Sequence, residues 1–232
     1  MISADAPTLS AGDWQAVWLT LSLAGATTLL LILFSTPLAW WLSRTPSRWK
    51  NVIEAIVAVP LILPPTVLGF YLLVLFSPDH FVGYWWLQLS GNTLAFSFTG
   101  ILIGSIIYSL PFAVQPLLNG FEQFNRQYLE VASTLGAKPA DQFFNLVLPV
   151  TRSSFLTAAG LSFAHTIGEF GVVLMIGGNI PGETRVLSIA LFDHVEVMNY
   201  GAAHWLAAGM LLTSFVVLLL ISTLRPGREY RV

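Results

Sequence analysis

The chain has 232 residues, of which 9% are Asp, Glu, Lys or Arg and 55% are hydrophobic. A soluble domain carries about 25% charged residues, and so few charges could hardly cover the surface of a soluble fold this size. Ten basic residues, a net charge of -2 and no basic cluster exclude a nucleic-acid footprint, and the lack of cysteine excludes disulfides, thiolate metal sites, iron–sulfur clusters and cysteine nucleophiles.

An all-α integral membrane protein remains. A spanning helix needs about 20 mostly apolar residues. Charge-poor intervals of that size predict five spans, near 15–43, 52–77, 95–118, 154–177 and 203–224. The first is too long, and lacks the preceding Lys or Arg, to be a signal peptide. Pro60, Pro64 and Pro65 interrupt span two, and Pro111 and Pro116 interrupt span three. Proline in a spanning helix frees carbonyls and kinks the axis. The kinks serve either bundle geometry or a pathway lined by irregular backbone. Residues 81–92 are aromatic and broken by Gly83 and Gly91, with Trp85 and Trp86 suited to the membrane–water interface. They read as an interfacial loop or short helix, a sixth span being the alternative. Residues 186–199 could form a short helix on the outer face.

Orientation follows from the basic residues. Arg44, Arg48 and Lys50 lie between spans one and two, and Arg126, Lys138 and Arg152 between spans three and four. Arg225, Arg228 and Arg231 follow span five, so nine of ten basic residues share one side and only Arg185 lies opposite. This predicts an outside N-terminus and a cytoplasmic C-terminus.

The loop at 126–150 is then cytoplasmic. Leu129–Leu135 reads as a helix ended by Gly136 in the left-handed conformation. Pro139 suits the first position of a second helix, which carries Phe143, Phe144 and Val147 toward one side and which Pro149 stops. Such a pair is either a re-entry into span four or a knob for a groove on another protein.

Here the sequence resembles the permease subunits of ABC importers, whose pattern is E-A-A, three residues, G, nine residues, I-x-L-P. The matching residues are Glu130-Val131-Ala132, Gly136 and Leu146-Val147-Leu148-Pro149, with Val131 and Leu146 as mild departures. The resemblance implies that Glu130, Ala132, Gly136, Leu148 and Pro149 couple the membrane part to a cytoplasmic ATPase. No G-x-x-x-x-G-K-[ST] motif is present, so ATP and Mg are expected on that partner, with no cofactor on this chain. Residues 59–73, Gly168-Glu169-Phe170-Gly171 and 179–185 resemble the molybdate/sulfate subfamily, and the Gly182-Glu183-Thr184-Arg185 continuation favours molybdate. The implied fold is the type 1 ABC importer permease, one domain in the bacterial cytoplasmic (inner) membrane. The implied assembly is a permease homodimer, two copies of the ATPase and a soluble oxyanion-binding protein outside. Sulfate and tungstate are the near alternatives as cargo.

Glu169 is the only formally charged residue deep inside a predicted span, Glu54 standing at the very start of span two, and His165 lies one helical turn before Glu169. The pair could relay protons in a secondary carrier, or be a structural hydrogen-bonded pair. By resemblance, Gly168, Glu169, Phe170, Gly171 and Asn179 lie near the translocation path or gate. Arg185 could meet the binding protein or the anion, or pair internally with Glu183. His80, His194 and His204 lack metal-ligand spacing, and hydrolase motifs are absent.

Overall fold

The computed structural model describes residues 9–224, and every regular element among them is helical. Helix α1 (Ala11–Arg44) starts at a capping box, in which Ser10 Oγ accepts from the Asp13 N–H and the Asp13 carboxylate accepts from the Ser10 N–H. Two helices, α2 (Trp49–Ile62) and α3 (Pro65–Phe76), follow with a 110° bend between them. The expected span two is therefore split into two helices. Pro64 and Pro65 explain the break: each lacks an N–H, and each disfavours helical backbone in the residue before it.

The aromatic stretch is a helix, α4 (Phe81–Ser90), closed by Gly91 in the left-handed conformation at φ +74°. Helix α5 (Phe98–Gln123) runs unbroken through Pro111 and Pro116. Helix α6 (Gln127–Thr134) is followed by the four-residue α7 (Pro139–Gln142), a π turn (Phe143–Val147) and α8 (Leu148–Ile167). The expected stop at Pro149 does not occur. The wider π turn, in which the Leu148 N–H donates to the Phe143 carbonyl, carries the chain into α8, and Pro149 falls in its first turn, where a missing donor costs little. Residues 139–167 thus form one 29-residue run.

Span four also differs from expectation. It breaks after Ile167, and a short α9 (Gly171–Gly177) follows. The stretch at 186–199 holds α10 (Leu187–Glu196), and α11 (Tyr200–Leu224) is the last described helix. Among the described residues four helical runs are long and apolar enough to cross a membrane alone, and the bent α2–α3 pair, counted as one span, would make five. The basic residues at 225, 228 and 231 lie outside the described residues.

Helices α1, α5 and α8 form the centre of the fold. One apolar cluster contains Leu23, Ile101, Val172 and Ile176, and a second contains Ala39, Val114, Phe121 and Ala158. Between them along each helix lie buried polar residues: Thr27 and Ser35 on α1, Ser105 and Ser109 on α5, Ser162 and Thr166 on α8. At the top of α5 a Cβ on Gly100 would overlap the Leu94 carbonyl oxygen. Gly100→Ala is expected to lower the thermal midpoint in detergent, by an overpacking penalty of about 1–3 kcal/mol. Gly25→Ala, which meets nothing within 4 Å, should leave it unchanged. Equal midpoints for the two variants would refute the tight contact.

Candidate functional site

The motif residues form a hairpin at one end of the bundle. Helix α6 ends as a Schellman-type turn: the Ala137 N–H donates to the Ala132 carbonyl at 3.0 Å, with Gly136 at φ +86°. Pro139 opens α7 at its first position. Buried Leu129 and Val147 anchor the hairpin in the second apolar cluster. Phe143 adds edge contacts to Trp40 and Phe121, with ring centroids 5.4 and 6.4 Å apart. Phe144 does not share that side; it is exposed, as are Glu130, Val131, Leu135, Gly136 and Pro149. Glu130 has no ion-pair partner among the described residues. The hairpin therefore presents an apolar face with a free carboxylate beside it.

Contacts tie the basic residues to this same end. Arg126 donates to the Ser43 carbonyl at 2.8 Å, and Lys50 pairs with Glu122 at 2.6 Å. At the opposite end, Asp13 meets His194 of α10 at 2.9 Å. Arg185 is also there, in an ion pair with Asp193 at 2.9 Å. Its internal partner is Asp193, not Glu183: α10 brings Asp193 back across the loop. Asn179 joins them, donating from Nδ2 to both Asp193 oxygens at 3.0 Å. Fully buried Thr184 braces the loop by donating to the Gly177 carbonyl at 2.7 Å.

The third part is the break between α8 and α9. His165 and Glu169 do not share a helix face, because α8 ends between them. The His165 Nδ1 is 2.8 Å from Ser109 Oγ, and its ring stacks on Phe112 at 4.2 Å. No proton-relay geometry joins it to Glu169. The Glu169 side chain is buried, beside the Ser105 hydroxyl, yet among the described residues neither its carboxyl oxygens nor the Ser105 and Ser162 hydroxyls make a well-formed hydrogen bond. Such groups are costly to bury unless satisfied, so this layer carries a local free-energy cost. The Glu169 carbonyl accepts from Ser188 Oγ at 2.6 Å, which pins the break to α10.

The two broken spans meet at their breaks. A Cβ on Gly171 would lie 2.9 Å from Pro65 Cβ, and one on Gly69 would lie 2.7 Å from Met175 Cβ. Glycines thus let α3 and α9 approach closely. The buried hydroxyls escaped the sequence reading, although Ser105/Ser109 and Ser162/Thr166 are each spaced by four, which puts each pair on one helix face.

The profile of the family described as "binding-protein-dependent transport system inner membrane component" matches residues 32–228. The molybdenum transport system permease protein of Azotobacter vinelandii is 58% identical over 210 residues, covering 90% of this chain and 93% of that one. The sulfate transport system permease protein CysT of Escherichia coli K12 is 33% identical over 199 residues, covering 86% and 72%. Among solved structures, a bacterial ABC transporter that imports the acidic polysaccharide alginate superposes with TM-score 0.71 at 18% identity, covering 93% and 78%. An inward-facing methionine ABC transporter gives 0.69 at 13% identity, covering 90% and 93%. The chain belongs to the family of binding-protein-dependent transport system inner membrane components, as a multi-pass inner-membrane protein with the type 1 ABC importer permease fold.

Proposed function

We propose that this chain is the permease subunit of an ATP-driven importer that moves molybdate across the inner membrane by alternating access. The observation that carries the reading is the 58% identity, over nine-tenths of the chain, to a molybdenum permease, against 33% to a sulfate permease. Two copies of the chain would enclose the path, with two cytoplasmic ATPase subunits below and an oxyanion-binding protein outside. ATP and Mg belong to the ATPase subunits. The charge-rich end with the α6–α7 hairpin faces the cytoplasm in this reading, following the positive-inside rule.

The geometry supports a lever. The exposed apolar face of the hairpin, with Glu130 beside it, suits a groove on the ATPase. The hairpin continues without interruption into α8, so residues 139–167 act as one rod about 43 Å long. Its far end is the Gly168–Phe170 break, packed near Pro65. Displacement at the hairpin would therefore reach the two broken spans directly. The exposed apolar sides of α2, α3 and α11 suit lipid and a second copy.

Proteoliposomes holding this chain, its ATPase and the cognate binding protein test the proposal. Uptake of labelled molybdate should require ATP and all three components, and excess sulfate should leave it intact. Sulfate uptake would keep the machine and change the cargo, and preference for tungstate would reassign the anion. Uptake by this chain alone, driven by a pH gradient, would refute the importer.

A further inference from the structure

We infer that the groove between α1 and the α6–α7 hairpin binds an anionic phospholipid of the cytoplasmic leaflet. This rests on the orientation proposed above. The cavity measures 720 Å³, and its walls include Thr36, Pro37, Trp40, Arg44, Phe143 and Phe144. Thr36 lies eight residues before Arg44, about 12 Å deeper along α1. The groove thus runs from the charged boundary into the apolar depth of the bundle, as a headgroup and the start of its chains require.

Charge selects the occupant. Arg44 lies over Trp40, 3.9 Å from the ring centroid, and its Nη2 is sealed from solvent with no hydrogen-bond partner among the described residues. Arg126 stands within electrostatic reach of Arg44, held there by its bond to the Ser43 carbonyl. Neither guanidinium has an acidic partner among the described residues. The other polar walls are already engaged: Thr36 donates to the Ile32 carbonyl, Ser133 to that of Leu129, and Gln142 to Ser133 and the Ala137 carbonyl. Glu130 also lines the groove, but it is exposed and its repulsion is screened by solvent. Two like charges beside an aromatic wall call for a phosphate with an apolar tail. Arginine suits it, because its planar fork matches phosphate oxygens, and basic pockets between helices on the cytoplasmic side hold anionic headgroups.

The test uses the full chain in detergent, supplied with equal phosphatidylglycerol and phosphatidylcholine of matched chains. Retained lipid is read by native mass spectrometry. Phosphatidylglycerol should be retained over phosphatidylcholine by about tenfold, the factor of one charge-assisted contact. Arg44→Gln should erase the preference and Arg44→Lys keep part of it. Ala140→Trp, placed at the exposed mouth, should block retention. If Arg44→Gln does not fold, the other two variants decide. Equal retention of both lipids by the unaltered chain would overturn the inference. So would a preference that survives both Arg44→Lys and Ala140→Trp undiminished, or displacement of phosphatidylglycerol by glycerol phosphate alone. The readout needs neither ATPase nor molybdate, so its failure is distinct from failure of the importer reading.

Discussion

Gly136→Val is expected to cut ATP-driven uptake by about 5- to 30-fold while leaving the membrane bundle folded. Gly136 sits at φ +86°, where a β-branched residue is strained by roughly 1–2 kcal/mol. A Cβ there would meet nothing within 4 Å, so the penalty is purely conformational. Relief comes only by changing the turn. That turn fixes the angle between α6 and α7, and hence the face offered to the ATPase. Free energy of this size corresponds to the stated factor. Glu130→Ala should act at the same step by a different route. Its carboxylate is exposed and has no ion-pair partner among the described residues, so the thermal midpoint should stay constant while uptake falls. The check is uptake and ATP hydrolysis in proteoliposomes, beside the midpoint of the permease alone. Full uptake by Gly136→Val would separate the hairpin from coupling.

The contrast between these residues and the break explains what was legible in the sequence. The hairpin was readable because its signals are local: a left-handed glycine, a proline at a helix start and apolar residues at helical spacing. Spans one, three and five were readable for the same reason, since hydropathy depends on composition over about 20 residues. Two local rules misled. Pro149 should stop a helix, but a π turn placed it in the first turn of α8. Glu169 should share a face with His165, but the break at Gly168 rotated it away. Both outcomes depend on what packs alongside, which a single chain position does not encode. Likewise Arg185 finds Asp193 rather than Glu183 only because α10 folds back across the loop. The buried hydroxyl layer was visible as a spacing, but hydroxyls within a span have no hydropathy signature that separates a buried seam from a lipid-facing one.

Gly171→Val should be the most damaging change at the break. The added side chain would meet Pro65, whose ring cannot swing aside, with even its first carbon 2.9 Å from Pro65 Cβ. Overpacking of this kind costs about 1–3 kcal/mol, and here it would push apart the two broken spans. Uptake should fall by about 5- to 150-fold, by the same conversion of free energy to ratio. ATP hydrolysis should persist, because the hairpin lies at the far end of the 29-residue run. Glu169→Gln supplies the contrast two residues away. Its carboxyl is buried without a good partner, and an amide of nearly the same shape removes the cost of burying a charge. Uptake should stay unchanged and the thermal midpoint hold or rise. If Glu169→Gln abolished uptake while Gly171→Val was tolerated, the chemistry of the carboxyl, and not the close packing of the two breaks, would govern passage.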